Sequence, residues 1–289
     1  MRLSDVVRDA VITLEAAGVP NVHLDVRLIA ARALGVKRED LLREPECFLS
    51  PDVLKVFNAN ICRRADREPV SRIFGQREFR SLEFLVDSNV LDPRPDSEII
   101  VETVIDLAQR ITGPVRILDI GTGSGCLLLA ILDAFPDASG VGVDIDGAAI
   151  QNAITNARRL GLLERSKFIQ SVWTEGVNEK YNIIVSNPPY IRTQDIDKLA
   201  PEVSIYDPRC ALDGGPDGLA AYREIACRIS SLMSNEGFVV VEIGTSQKET
   251  VTHIFNNASY RLDKVRQDLG GLDRCLVFSD CQNLLKPNG

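Results

Sequence analysis

Histidine is almost missing from this chain of 289 residues: His23 and His253 are the only two. That argues against a triad built on an imidazole base and against a histidine-rich metal site. Cysteine is present but not in a pattern. Cys47, Cys62, Cys126, Cys210, Cys227, Cys275 and Cys281 are odd in number and contain no CxxC pair. They read as free thiols in a reducing cytoplasm, not as a disulfide frame or a zinc site. No apolar run approaches the roughly 20 residues of a membrane span. Arg2, Asp5, Arg8 and Asp9 interrupt the first apolar residues, unlike a signal peptide. Positive charge is short as well, with 33 Lys+Arg against 41 Asp+Glu and a net charge of −8. A broad basic surface for gripping nucleic acid is therefore not expected. Residues 1–70 are balanced at 11 basic and 11 acidic side chains, so the whole deficit lies beyond them. Internal repeats and low-complexity tracts are missing too.

The composition that remains, 45% hydrophobic and 26% charged, is that of a globular protein. Leu3, Val6, Val7, Ala10, Val11, Leu14 and Ala17 recur at helical spacing until Gly18 and Pro20 stop the helix. A second helix over 22–34 is expected to place Leu24, Leu28, Ala31 and Leu34 on one stripe. Asp40 to Arg43 reads as a short helical turn. Ser50-Pro51 is a capped helix start, followed by Leu54, Phe57, Ile61 and Ala65. This helical module holds no group of side chains that could do chemistry. Residues 79–86 then read as two short strands around a turn. In Asp92-Pro93-Arg94-Pro95-Asp96-Ser97-Glu98, two prolines stiffen a loop that opens a helix running to about Thr112. Arg94, Asp96 and Glu98 either face an active site or, for the two acids, simply suit a helix's first turn.

From Val115 onward, strands alternate with helices. Val115–Ile120 leads into Gly121-Thr122-Gly123-Ser124-Gly125, a glycine turn that lets a ligand approach backbone and helix N-terminus. The spacing is GxGxG, not the GxGxxG of dinucleotide-binding enzymes. The second strand ends at Asp144, 23 residues after Gly121 and placed to accept from both hydroxyls of a ribose. Asp146 competes for that role. After a third strand, Lys167–Gln170, the only tryptophan, Trp173, either flanks an adenine ring or is a half-buried core aromatic. The fourth strand, Tyr181–Ser186, runs into Asn187-Pro188-Pro189-Tyr190. Prolines cannot donate to a ladder and they restrict the residue before them, so this is a stiff corner at a strand's C-terminal end. An asparagine oxygen and a proline carbonyl there can accept from an –NH2 group, with the tyrosine ring against its flat face. Residues 191–219 form a long Asp-, Pro- and Gly-rich segment, read as a substrate-side cover. Strands near 237–243, 260–265 and 274–278 complete an open parallel sheet with helices on both faces.

Ligands of such sheets lie beyond the C-terminal strand ends. Gly121–Gly125, Asp144, Trp173 and Asn187 all fall on that edge, where one nucleoside-like ligand can touch all of them. Without a histidine base, a metal cluster or a phosphate-binding lysine-serine pair, the reaction should need little acid–base work. Methyl transfer from S-adenosyl-L-methionine fits, because the cofactor brings the electrophile and the protein brings orientation.

Residues from about Glu68 to Ser279 resemble the HemK/PrmC family, the glutamine methyltransferases of peptide chain release factors. The resemblance rests on Glu68-Pro69-Val70, Gly75-Gln76-Arg77-Glu78-Phe79, Pro93-Arg94-Pro95-Asp96-Ser97-Glu98, the stretch Asp119 to Gly125, Asn187-Pro188-Pro189-Tyr190, Ala211-Leu212-Asp213-Gly214-Gly215 and Asp268-Leu269-Gly270-Gly271-Leu272-Asp273-Arg274. It implies an α/β fold, a Rossmann-like class I methyltransferase sheet with a small all-α N-terminal domain joined by a β-hairpin. The expected divisions are 1–70, a release-factor recognition domain; 71–92, a hairpin linker; and 93–282, the methyltransferase domain. The implied reaction methylates the side-chain amide nitrogen of the glutamine in the Gly-Gly-Gln motif of class 1 release factors. Family positions for the cofactor fall on Gly121, Thr122, Gly123, Ser124, Gly125, Asp144, Trp173 and Asn187; the substrate amide falls to Asn187, Pro188, Pro189 and Tyr190. Together with the composition, the expectation is a cytoplasmic protein with no metal, no stable nucleic acid and no membrane partner, and a monomer because of the large docking surface a release factor needs. Two positions depart from the family: Val172 stands where an acid usually meets the adenine amino group, and Asp92 where an apolar residue is usual. A nucleic-acid amine methyltransferase acting on adenine or guanine, or an inactive release-factor-binding protein, are the alternatives.

Overall fold

The computed structural model describes residues 1–42 and 48–281. Arg43, Cys47 and residue 282, which figure in the expectations above, lie outside that range. Contacts divide the chain into a helical unit, Met1–Gly75 with Ala200–Tyr206, and a sheet unit, Gln76–Leu199 with Asp207–Gly289.

The helical unit packs α1 (Leu3–Ala16), α2 (Val22–Leu34), α3 (Pro51–Ala65) and the short α4 (Val70–Phe74) around one apolar core. Leu3, Val6, Ala10 and Leu14 supply α1's buried stripe, at the spacing read from the sequence. In α2 the buried face is Val22, Val26, Ile29 and Ala30, while Leu24 is exposed. The expected stripe through Leu24 is thus rotated. Two interleaved apolar sets compete on this helix, and the β-branched one won the core. Ser50 caps α3 by accepting from the Val53 amide at 3.3 Å, with Pro51 at the first helical position. The expected turn at 40–43 is a 3-10 turn over Arg38–Leu42.

Arg64 is buried and donates to Asp25 at 2.7 Å and to Glu202 at 3.0 Å. Arg67 adds a two-pronged contact to the same Glu202, at 2.7 and 2.6 Å. Glu202 sits on the short helix Pro201–Ser204. Burial works to raise its pKa, but the hydrogen bonds from Arg67 and Arg64 outweigh it and hold the carboxyl below its ordinary range.

The sheet unit begins with the hairpin β1 (Gln76–Phe79) and β2 (Leu82–Leu85). Arg80 and Ser81 between them both have left-handed φ, 51° and 62°, the twist that suits a two-residue hairpin turn. Phe79 and Phe84, one on each strand of the hairpin, are buried in this unit's core, edge to face at 6.2 Å. After α5 (Glu98–Ala108) come β3 (Arg116–Ile120), α6 (Cys126–Ala134), β4 (Ser139–Asp144), α7 (Gly147–Arg159), β5 (Ser166–Gln170) and β6 (Tyr181–Ser186). Then follow α8 (Ala220–Arg228), β7 (Met233–Glu242), α9 (Lys248–Asn257), β8 (Tyr260–Gln267) and β9 (Asp273–Asp280).

The seven-stranded sheet has the order β5-β4-β3-β6-β7-β9-β8. It is parallel from β5 to β7, but β9 runs antiparallel to both β7 and β8. The expectation of a wholly parallel sheet fails at this edge. The link between β8 and β9, residues 268–272, is far too short for a parallel crossover. Alternate residues serve the two faces. Ile117, Ile183, Val185 and Val240 pack with α5 and α6, whereas Leu118, Ile184, Val239 and Val241 pack with α8 and α9. With both faces covered by helices, the C-terminal ends of the strands are where a small ligand can meet the sheet.

Candidate active site

At those ends lies a cavity of about 400 Å³, within the usual range for a small-molecule site. Its floor is the turn from β3 into α6. Gly121, Gly123 and Gly125 all have left-handed φ (75°, 54° and 79°), so alternation of glycine is a backbone requirement here. A Cβ on Gly121 or Gly123 would meet nothing within 4 Å, which leaves the backbone open to a ligand. Gly125 differs: it caps α6, and a Cβ there would press on Leu129 and Ala153. The turn is tied from below, with Thr122 Oγ1 donating to Asp119 at 2.7 Å and the Gly121 and Thr122 amides to the Val143 carbonyl at 2.9 Å.

Asp144, at the end of β4, accepts from the Gly123 amide at 2.9 Å and from the Asp146 amide at 3.0 Å. Burial pushes its pKa up, against the pull of those backbone donors. Asp146 spends an oxygen as the cap of α7, accepting from the Ala148 amide at 2.8 Å. Both acids line the cavity, as do Val172 and Trp173. Trp173 takes a φ of +56°, unusual for so large a side chain, while its ring packs against the core. Of the two roles held open for it, adenine flank and core aromatic, the packing on the core is seen, and the residue also lines the cavity where the first role would be played.

The corner after β6 meets the cavity through Asn187 and Pro189. Pro188 is buried and Tyr190 turns inward, its hydroxyl donating to Glu242 at 3.2 Å. Of the residues expected at the site, Gly121, Thr122, Gly123, Ser124, Asp144, Trp173, Asn187 and Pro189 thus share one cavity, and Gly125, Pro188 and Tyr190 stand behind its wall. The chain 211–219 packs on the corner backbone to backbone. Ile191 donates to the Leu212 carbonyl at 3.0 Å and receives from the Gly214 amide at 2.8 Å. Gln247 holds the Tyr190 and Gly218 carbonyls together, at 3.0 and 3.1 Å.

The loop before α5 answers the question left about its charges. Arg94 lines the cavity, anchored to buried Asp207 at 2.5 Å. Glu98 instead accepts from the Arg80 amide at 3.0 Å in the hairpin turn, and Asp96 pairs with Arg274 at 3.5 Å. Asp92, the departure from the family pattern, is buried with Arg77 at 3.8 Å and Arg94 at 4.0 Å. Two residues went unread. Ser97 accepts from Asn187 Nδ2 at 3.1 Å and donates to Glu242 at 2.5 Å. Glu242 is the one charged residue in the otherwise apolar stretch 238–243, a signal that was available. Burial raises its carboxyl to about 7, opposed by Ser97, Arg274 and Tyr190.

A sheet of this order, with a glycine turn after its first strand and an acid ending its second, defines a class I methyltransferase. The family descriptions that match are the PrmC N-terminal domain over residues 5–75 and the methyltransferase small domain over 95–215. A release factor glutamine methyltransferase of Agrobacterium fabrum is 43% identical over 268 residues, covering 92% of this chain and 93% of that protein. One from Rhodospirillum rubrum is 41% identical over 264 residues, covering 91% and 81%. The chain belongs to the release factor glutamine methyltransferase family. Among solved structures, the hMettl16 catalytic domain, crystallised with a 3′UTR hairpin, superposes with a TM-score of 0.55 at 14% identity, covering 81% of this chain and 83% of that one. At that identity the likeness shows the fold.

Proposed function

We propose that the protein methylates the side-chain amide nitrogen of the glutamine in the Gly-Gly-Gln motif of class 1 release factors, using S-adenosyl-L-methionine. The observation that carries this reading is one cavity shared by a nucleoside-sized ledge, Gly121 to Asp144, and by the Asn187–Pro189 corner. The residues suit the cofactor. Open backbone at Gly121 and Gly123 would accommodate its methionine portion, Asp144 would accept from the ribose hydroxyls, and Val172 and Trp173, on the same cavity wall, would flank the adenine. When bound, the cofactor supplies a sulfonium methyl group as electrophile.

The protein's own work is orientation. A glutamine nitrogen is a weak nucleophile because its lone pair is delocalised into the carbonyl. Accepting its two N–H donors at the Asn187 oxygen and a proline carbonyl of the corner fixes its position and enriches it in electrons. Placement of this kind contributes roughly 7–11 kcal/mol in favourable cases. The helical unit is assigned the docking of the release factor; a release-factor substrate places the enzyme in the cytoplasm, and a monomer leaves that docking surface free.

The test is mass spectrometry of a purified class 1 release factor after incubation with enzyme and cofactor. One added methyl group on the Gly-Gly-Gln glutamine is expected, and none with Asn187→Ala. Methylation of nucleic acid in place of release factor would overturn the reading.

A further inference from the structure

We propose that Ser97 and Glu242 are positioning residues that set the polarity of the Asn187 amide, turning its oxygen toward the substrate. The inference rests on the reaction assigned above and extends it to two side chains behind the site.

An asparagine amide is nearly symmetric in shape, and its two orientations differ only in hydrogen bonding. One presents an acceptor to the substrate's N–H groups; the other presents a donor and repels them. What decides between them lies behind the residue. Glu242 is 2% exposed at the end of β7. It takes the Ser97 hydroxyl on one oxygen at 2.5 Å and the Tyr190 hydroxyl on the other at 3.2 Å. A serine hydroxyl has one proton. Once that proton points at the carboxylate, Ser97 can only accept from its other neighbour, and Asn187 Nδ2 supplies the donor at 3.1 Å. The Asn187 oxygen then faces away from Ser97. A single buried negative charge therefore orients two members of the corner at once. A hydroxyl facing an apolar group would leave the amide undirected.

The order of donors depends on the charge. Protonated Glu242 carries a hydrogen that must be given to Ser97 or Tyr190, which frees the Ser97 proton to approach the asparagine oxygen and favours the wrong orientation. The groups that act on Glu242 are the Arg274 guanidinium, which favours the anion, and the Asp96 carboxylate, which opposes it. The Tyr222 hydroxyl donates to the Glu242 backbone carbonyl at 2.8 Å, and Glu242 also acts on the Cys126 and Cys275 thiols, raising both.

The experiment compares Ser97→Ala, Ser97→Thr and Glu242→Gln with wild type. The readouts are release-factor methylation, cofactor binding by calorimetry and the side-chain 15N–1H resonances of Asn187. Ser97→Ala should lower kcat by about a hundredfold, the scale of a misplaced reacting group, with cofactor affinity unchanged. Its Asn187 resonances should shift, and the loss of kcat on the acid side of pH 7 should flatten. Ser97→Thr, which keeps the hydroxyl, should recover kcat to within severalfold of wild type. Glu242→Gln should resemble Ser97→Ala and lack the acid limb. Wild-type kcat in Ser97→Ala, or a loss of cofactor affinity matching its loss of kcat, would overturn the proposal. Failure of the wild-type enzyme to methylate a release factor would instead overturn the reading on which it rests, leaving the resonance shift as the measure of the relay.

Discussion

Val172 is 44% exposed on the wall of the cavity that the glycine turn also lines, next to Trp173 in sequence. An apolar side chain there can cover an adenine face but cannot accept from its amino group. The family resemblance places an acid at this position, and on the proposed reading this site would hold the adenine with one directional contact fewer. Replacing Val172 with Asp should tighten cofactor binding by about tenfold, the equivalent of one hydrogen bond to a charged acceptor. Calorimetric titration of both forms measures it, and equal affinities would show that adenine is met elsewhere. The same scale marks where the sequence ran out. Asn187, Asp144 and the glycines were readable because each stands at a strand end announced by a local pattern. Ser97 and Glu242 are 145 positions apart, and only the folded sheet makes them neighbours. Serine before a helix already has a sufficient explanation as a helix start, which concealed its second role.

Among the elements, the strands were legible and their pairing was not. Apolar runs marked the inner strands of the large sheet, because buried strands need continuous apolar sequence, while the two edge strands, β5 and β8, carry polar residues among their apolar ones and were read from shorter apolar segments. The antiparallel edge and the buried face of α2 depend on contacts distant in sequence, and both were misjudged. The close packing of 211–219 on the Asn-Pro-Pro-Tyr corner belongs to this scale as well. A Cβ on Gly214 would lie 2.8 Å from the Pro189 carbonyl and 2.9 Å from the Tyr190 Cα, both backbone. Neither can swing aside as a side chain would. Gly214→Ala should therefore destabilise the protein by about 1–3 kcal/mol, as overpacking does, and lower kcat further by displacing the corner. Urea unfolding and turnover measured together check this. An unaltered urea midpoint with unaltered turnover would mean that the two backbones have room to part.

Taken whole, the molecule should respond to pH through its buried acids. Asp119 and Glu242 are both pushed up to about 7 by burial, from ordinary values of 3.8 and 4.5, and Asp144 is shifted in the same direction. A carboxyl whose pKa is higher folded than unfolded contributes stability that is complete below its unfolded value. That contribution is lost as pH rises through the folded value. Stability against urea should consequently be greater at pH 5 than at pH 8, with most of the decline before pH 7. Asp119→Asn, which can still accept from Thr122, should make the profile shallower; an equally steep profile in that variant would acquit Asp119.

The excursion at Ala200–Tyr206 has a bearing on ancestry. The chain leaves the sheet unit after Leu199, contributes Glu202 to the arginines of the helical unit, and returns at Asp207. A recombination event that exchanged the first 75 residues for another module would carry Arg64 and Arg67 away and leave Glu202 behind. The two parts are therefore constrained to descend together, and a transplanted helical module would have to bring its own replacement for residues 200–206.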